Sequence, residues 1–200
     1  EFETWFYPDD RVARAAVVAS YRPEFRYITI ADYQLEELQE IGISAELISV
    51  GYDETIYFPI SEDTSEKSGM LAVGRSFFQK NFEMTYKAWL MMGEKRPHLT
   101  LFGHEPKIIS NERATYMVMP DNPTVNQLYN SSQIFVQTSR HEGFCLPIIE
   151  AMASGCPVIT TDSHGNRGFC FDGENCIIVE HDDVEGLSHK IEELIGNPQL

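Results

Sequence analysis

The chain has 200 residues and a formal net charge of −16, and 42% of its residues are apolar and 12% aromatic. This length fits one domain, or one domain with part of another, and the apolar content can bury a real core. The acidity leaves no basic stripe for a nucleic-acid backbone and argues against docking on an anionic membrane surface, so neither is an expected partner.

The first 50 residues form a less regular region than the rest. Short strands are predicted at 27–30 and 46–50, and the stretch 32–41 has apolar residues at helical spacing with Asp32 as a candidate N-cap. Because the first residue is Glu1 rather than Met, we expect an excised piece of a longer protein. The sequence shows no apolar run of membrane-span length and no signal-peptide pattern, and we expect a cytoplasmic location.

A polar surface loop is predicted at 60–69, and strands and helices alternate after it. Strands are predicted at 71–75, 98–103, 115–119, 133–139, 157–160 and 176–179, and helices at 81–92, 124–129, 147–155 and 184–195. This alternation predicts an α/β fold, a Rossmann-like parallel sheet with helices on both faces. Ligands of such sheets bind beyond the carboxyl ends of the strands.

The segment EGFCLPIIEAMASGCPVI at 142–159 is the most informative for function. Glu142 leads into a glycine-containing loop, Pro147 suits the first turn of a helix, and Gly155 suits its end. Free backbone N–H groups at such a helix start form an anion site. Glu142 and Glu150 would repel a phosphate there unless they accept hydrogen bonds from hydroxyl groups. A sugar nucleotide supplies both phosphate and hydroxyl groups, so we expect the two acids to flank one site.

Arg75 ends the first strand predicted in this region, and Lys80 follows five residues later, so both cations fall at the ligand edge of the sheet. Arginine offers a planar fork for phosphate oxygens and lysine a mobile charge, so the pair could neutralise a diphosphate leaving group. The alternative is a solvated arginine and a lysine that flanks a helix. Glu142 could likewise be an ordinary loop acid, and Glu150 an acid favoured in a first helical turn by the helix dipole.

The four cysteines form no CxxC pair. Cys145 and Cys156 lie in apolar sequence and are predicted to be buried thiols. Cys170 and Cys176 could pair only if the geometry allowed it, and the spacings disfavour a disulfide or a zinc site. The polar loop at 162–167 is expected to border the ligand edge, without an assigned role.

Four segments resemble the C-terminal domain of the retaining glycosyltransferases of family four, which have the two-domain architecture called GT-B. They are LAVGRSFFQK (71–80), HLTLFG (98–103), QLYNSSQIFVQTSRHEGFCLPIIEAMASGCPVI (127–159) and FDGENCIIVEHDDVEGLSHKIEELI (171–195). The eight-residue spacing of Glu142 and Glu150 is the most specific match. The resemblance implies that residues 1–50 are the tail of an N-terminal, acceptor-side domain that is otherwise missing, and that residues 51–200 bind the nucleotide sugar.

By position, the resemblance implies that Arg75 and Lys80 contact the donor diphosphate and that Glu142 binds hydroxyls of the donor sugar. Glu150 would bind the ribose, and Gly103, which ends a strand at the ligand edge, would let the backbone approach the base or ribose. The backbone N–H groups expected to hold phosphate or sugar are those of Gly143, Phe144, Cys145 and Leu146. Cys145 departs from the family, where small or polar residues are usual.

The resemblance also implies a metal-independent enzyme without a cofactor, which uses a nucleoside-diphosphate sugar and a glycan or lipid-linked hydroxyl acceptor. The segments FETWFYP, FRYITIA and VGYDETIYFP are similar to a branch with rhamnosyltransferases of bacterial surface glycans. That branch implies deoxythymidine-diphosphate rhamnose as donor, a role in polysaccharide synthesis, and attachment at the inner membrane through the missing domain. Two alternatives stay open: a non-catalytic nucleotide-binding module, and a sugar-nucleotide epimerase or phosphorylase of the same architecture.

Overall fold

The computed structural model describes residues 3–61, 63, 66–106 and 108–197. In chain order the main elements are α1 (Arg11–Ser20), β1 (Tyr27–Thr29), α2 (Asp32–Glu40), β2 (Ala45–Leu47), β3 (Met70–Val73), α3 (Phe82–Met91), β4 (Leu99–Gly103), β5 (Ala114–Val118), α4 (Asn122–Ser131), β6 (Ile134–Gln137), α5 (Leu146–Ala153), β7 (Val158–Thr161), β8 (Ile177–Val179) and α6 (Val184–Gly196). Short 3₁₀ helices lie at Glu3–Phe6, Phe78–Lys80 and Gly93–Lys95.

The main sheet has six parallel strands in the order β5-β4-β3-β6-β7-β8. The chain builds outward from β3 in one direction through β4 and β5, and then returns to place β6 on the other side of β3. The strand order therefore reverses between β3 and β6, and a crevice opens at their carboxyl ends. The predicted Rossmann-like α/β fold is confirmed.

Apolar helix faces cover the sheet on both sides. On one side Trp89 of α3 and Ile191 of α6 are fully buried, and the indole Nε1 of Trp89 donates to the carbonyl of Pro97 at 2.8 Å. On the other side Tyr129 of α4 and Ile148 of α5 are fully buried against the sheet. Burying each such side chain contributes about 1.5–3 kcal/mol before entropy is counted, so both layers hold the strand ends firmly in place.

Several element boundaries differ from the sequence prediction for local reasons. Helix α3 starts one residue late because Asn81 is left-handed, with φ 44°. Helix α4 starts two residues early because the Asp121 carboxylate accepts the Thr124 N–H at 3.0 Å. Asp32 does not cap α2: it is the first helical residue, and the N-cap position is Ala31. Helix α6 begins at the predicted residue, Val184, where the Asp183 side chain caps it by accepting the Gly186 N–H at 2.8 Å.

The N-terminal region has its own small sheet, in which β1 and β2 pair in parallel. A two-stranded sheet is marginal by itself, so this region depends on packing against its surroundings. Its own core is a small cluster around Leu38 and Ile43. The boundary at residue 50 stays a prediction. In the loop predicted at 60–69, residues 62, 64 and 65 lie outside the described residues, and most of the others are exposed.

None of the helices in the described part of the chain combines the length and the apolar character that a bilayer crossing needs.

Candidate functional site

A small cavity of about 70 Å³ lies at the crevice between β3 and β6. We call it the Glu142 cavity, and it includes Arg75, Lys80, Gln137, Ser139 and Glu142. The strands end two residues earlier than predicted, at Val73 and Gln137, so Arg75 and Ser139 lie in the loops that follow them. The structure therefore brings together the two cations and the first of the two acids that the sequence selected.

The carboxylate of Glu142 is buried and well satisfied. Its Oε2 accepts from the ammonium of Lys80 at 2.6 Å, and its Oε1 accepts from Ser139 Oγ at 2.6 Å and Gln137 Nε2 at 3.0 Å. A carboxylate has about four acceptor positions, so roughly one, on Oε2, is left for a sugar hydroxyl. The resemblance implies separate roles for Lys80 and Glu142, on the diphosphate and on the donor sugar, and the structure adds an ion pair between the two side chains.

Arg75 differs from Lys80 in being uncommitted. Its guanidinium makes no ion pair or hydrogen bond with any residue in the described ranges, and its Nε is buried without a partner among them. It lies 5.6 Å from the ring centroid of Phe77. A buried donor without an acceptor is costly in a folded protein, and an anion in the cavity would satisfy it.

The loop that joins Glu142 to α5 runs between two residues that line this cavity, Glu142 and Pro147. The N–H groups of Gly143, Phe144 and Cys145 donate to none of the residues that the structure describes. Cys145 is left-handed, with φ 76°, and α5 begins directly after it at Leu146. The N–H groups and the helix dipole give this end of α5 the character of an anion site.

A second loop supports the first from behind. Gly165 packs so closely that a Cβ there would lie 2.6 Å from the Glu142 carbonyl oxygen and 2.6 Å from the Phe144 nitrogen. Asn166 fastens this loop by accepting the Ser163 N–H at 3.0 Å and donating to the Thr161 carbonyl at 2.9 Å. The loop at 162–167 therefore acts on the site through the backbone that follows Glu142.

Two histidines lie beside these loops, with the Nδ1 atoms of His141 and His164 3.3 Å apart. Burial first, and then the neighbouring His164, lowers the pKa of His141 to about 4. Burial also lowers the pKa of His164. His141 is therefore neutral near pH 7 and adds no positive charge to the anion site.

A second cavity, of about 200 Å³, lies beside the first, where β4 and β5 end. We call it the Glu150 cavity, and its lining includes Tyr57, Gly103, His104, Met119 and Glu150. The two cavities are neighbours, because Val73 lines the first, Phe102 lines the second, and these residues pair in the sheet. The acids at 142 and 150 thus line two adjacent cavities instead of flanking one.

The surroundings of Glu150 contain no ion-pair partner within the described part of the chain, and its neighbours are phenols. Burial raises the pKa of Glu150, and the neighbouring phenols of Tyr129 and Tyr57 oppose the rise. The sequence suggested that Glu150 could lie in the first turn of its helix. Because α5 begins at Leu146, Glu150 lies in the second turn. The helix dipole therefore does not explain why an acid stands there.

Gly103 lines the Glu150 cavity, but its lack of a side chain has an internal cause. A Cβ at this position would lie 2.4 Å from the Gly74 carbonyl oxygen and 2.7 Å from the Tyr116 hydroxyl. The close approach that Gly103 permits is therefore to neighbouring protein atoms. Contact of its backbone with a base or ribose stays a prediction.

All four cysteines are free thiols and buried, as expected for Cys145 and Cys156. Cys170 and Cys176 are not joined by a disulfide. Over the described ranges, no cluster of three His, Cys, Asp or Glu residues is arranged to hold a metal ion.

Residues 67–197 match the family model described as Glycosyl transferases group 1. The chain belongs to this family. This match agrees with the predicted resemblance to GT-B glycosyltransferases. The retaining mechanism and the rhamnosyltransferase branch stay predictions. Because the match begins at residue 67, it includes Arg75, Lys80, Glu142 and Glu150 but not Tyr57.

Two curated relatives show how much of a longer enzyme this group 1 chain represents. It is 26% identical over 186 residues to an uncharacterized glycosyltransferase of Haemophilus influenzae, a match that covers 88% of this chain and 53% of the relative. It is 26% identical over 219 residues to the mannosylfructose-phosphate synthase of Agrobacterium fabrum, covering 93% and 48%. The chain therefore spans about half the length of these relatives.

The fold of this group 1 chain is also that of a solved structure, the sucrose-phosphate synthase of Thermosynechococcus elongatus, with a TM-score of 0.82. The match has 20% sequence identity and covers 99% of this chain and 57% of the synthase chain. At this identity the likeness shows the fold, and it confirms that the chain has the architecture of a GT-B half.

Sequence reasoning missed the groups that hold the selected acids. Gln137 ends β6 and Ser139 lies two residues beyond it at the ligand edge, so the rule that placed Arg75 there could have found them. Tyr33, whose hydroxyl donates to the Glu142 carbonyl at 3.0 Å, and Tyr57 come from distant segments and gave no local signal.

Proposed function

We propose that the chain is the donor-binding half of a glycosyltransferase that moves a sugar from a nucleoside diphosphate to a hydroxyl acceptor with retention of configuration. The observation that supports this most is the uncommitted Arg75 beside Lys80 and the free amides before α5, at the reversal point of a parallel sheet. Phosphate oxygens are the acceptors that such a set of donors fits.

In this proposal the diphosphate accepts hydrogen bonds from Arg75, from the loop amides and from Lys80. The lysine ammonium has three donors, so it can keep Glu142 and still reach a phosphate oxygen. As the bond to the sugar breaks, negative charge grows on the diphosphate, and these fixed donors stabilise it. Cations and the helix start would take the place of a metal ion, and we propose that neither a metal nor a cofactor is needed.

Glu142 would hold one donor-sugar hydroxyl through its remaining acceptor position, and Glu150 would accept from the ribose in the adjacent cavity. A nucleotide sugar is extended, with the diphosphate between sugar and ribose, so two neighbouring cavities suit it better than one shared pocket. The acceptor side, the further N-terminal domain, the rhamnose donor, the polysaccharide role and a cytoplasmic position at the inner membrane are part of the proposal and rest on the resemblance.

Calorimetry with UDP, ADP, GDP and dTDP tests the diphosphate site. We expect at least one of them to bind, and Arg75→Ala to weaken that binding about tenfold or more, as loss of a charge-assisted pair implies. Arg113→Ala is the matched control, because Arg113 pairs with Glu94 at the amino-terminal edge of the same sheet and should leave affinity unchanged. Equal affinities of the wild type and Arg75→Ala would refute the role of Arg75.

Incubating the full-length enzyme with a labelled nucleotide sugar and analysing the products separates the alternatives. Release of nucleoside diphosphate with label on an acceptor indicates transfer, and an anomeric assignment of the product tests retention. Label that stays on the nucleotide as an isomeric sugar would indicate an epimerase. Binding without either product would favour a non-catalytic module.

A further inference from the structure

We infer that Tyr57 and Tyr129 are positioning residues that keep Glu150 ionised and aimed at the ribose of the donor. This inference rests on the proposed function, because it names the groups behind the nucleotide end of that site. Tyr57 precedes the region matched by the family model, so the inference also extends the site into the segment that joins the N-terminal region to β3.

The geometry places both phenols around one carboxylate. The Tyr129 hydroxyl donates to Glu150 Oε2 at 3.4 Å, a long hydrogen bond that orients more than it binds. Tyr57 lines the same cavity as Glu150, and its ring lies edge-on to that of Tyr129, with centroids 6.2 Å apart. Tyr57 is 6% exposed and Tyr129 is fully buried, so neither phenol can turn away to water.

The segment that supplies Tyr57 is fastened to α4 on its C-terminal side. The Phe58 N–H donates to Asn126 Oδ1 at 3.3 Å, and the Ile60 N–H donates to Asn130 Oδ1 at 2.7 Å. Asn130 Nδ2 returns a hydrogen bond to the Phe58 carbonyl at 3.0 Å. Two asparagines on one helix thus hold the backbone that follows Tyr57, and this fixes the position from which the Tyr57 side chain extends.

The two phenols oppose the effect of burial on the protonation of Glu150. Burial favours the protonated acid, which loses an acceptor position and pairs less well with ribose hydroxyls. Hydrogen bonds from phenols favour the carboxylate. Burial first, and then the charge of Glu150, raises the pKa of Tyr57 to about 12 and that of Tyr129 well above its ordinary value, so both remain donors.

Other titratable groups surround this cluster. His104 lines the same cavity as Glu150, Asp53 lies near Tyr57, and Cys145 and Cys156 lie near Tyr129. The thiols are buried and their pKa values are raised, so they are neutral near pH 7. The phenols are therefore the groups that act directly on the Glu150 carboxylate.

The test measures affinity against pH for the best-binding diphosphate of the panel UDP, ADP, GDP and dTDP, and for its analogue without ribose hydroxyls. The wild type should bind the hydroxyl-free analogue more weakly. In Tyr57→Phe and in Tyr129→Phe we expect this ratio to shrink by about threefold to tenfold. The acidic limb of the binding profile should move to higher pH by about half a unit, because the carboxylate loses a donor.

Tyr27→Phe is the matched control, since the Tyr27 hydroxyl hydrogen-bonds the Arg22 backbone far from the cavity and its loss should move neither readout. A carboxyl-carbon NMR titration of Glu150 gives the same pKa change without nucleotide and guards against a folding defect. This inference alone would be overturned if both variants kept the wild-type ratio of the two affinities and the wild-type acidic limb of binding against pH, while Arg75→Ala still weakened binding. Absence of binding by the wild type would overturn the proposed function together with it.

Discussion

Glu142 and Glu150 are the same residue type, eight positions apart, yet their surroundings are opposite. Glu142 has a lysine at 2.6 Å and two polar donors, so its charge is compensated at the place where a diphosphate would sit. Among the described residues Glu150 has no cation as partner; phenols lie beside its carboxylate, and burial raises its pKa. The comparison teaches that the two cavities suit different parts of one ligand: the first tolerates further negative charge, and the second favours neutral hydroxyl groups.

The largest effect is expected from removing the charge compensation in the Glu142 cavity. Lys80→Ala leaves a carboxylate that is 9% exposed without its cation, and should destabilise the protein by about 3 kcal/mol in urea unfolding. The double variant Lys80→Ala with Glu142→Gln removes the stranded charge and should recover much of this loss. A double variant no more stable than Lys80→Ala would show that charge compensation is not what Lys80 supplies.

The next largest effect is expected from a substitution that disturbs the Glu142 cavity and leaves the Glu150 cavity unchanged. Gly165→Ala forces a Cβ against the backbone after Glu142, which cannot give way cheaply, and should cost about 1–3 kcal/mol and weaken diphosphate binding. Thermal unfolding and calorimetry measure both quantities. Gly51→Ala is the control, because its Cβ would meet nothing within 4 Å. Similar behaviour of the two variants would contradict the close packing at Gly165.

A smaller effect is expected from removing the hydrogen bond that the N-terminal region makes to the backbone of Glu142. Tyr33→Phe removes a hydroxyl that donates to the Glu142 carbonyl, and should reduce stability by about 1 kcal/mol. Diphosphate affinity should fall at most severalfold, since the loop keeps its other supports. A loss of diphosphate affinity as large as that caused by Gly165→Ala would mean that α2, and not the loop at 162–167, holds the site.

The smallest effect is expected on the pH dependence of stability, and it comes from the buried carboxyl group of Glu150. Because the folded-state pKa of Glu150 is raised, its contribution to stability is present below its ordinary pKa and is lost as pH rises through the raised value. Glu150→Gln should therefore unfold at slightly higher temperature than the wild type at pH 7, and the gain should vanish in acid. A constant difference at all pH values would contradict the burial of a charge here.

The sequence by itself determined the sheet, its helices and the edge at which a ligand would bind. Alternating apolar strands and amphipathic helices report a parallel sheet directly, because each element must bury one face or both. Arg75 and Lys80 were found in the same way, since a strand end in such a sheet points to the ligand edge. The local pattern was also enough to predict the helix after Cys145.

Only the tertiary structure decided how the selected residues are paired. Lys80 and Glu142 are 62 positions apart, and Tyr57 and Glu150 are 93 apart, and no local pattern connects them. Whether a carboxylate is compensated by a cation or held by phenols depends on which distant segments pack around it, and that packing is set by the whole core. The sequence therefore located two acids at one edge, and the fold gave each its own cavity and its own chemistry.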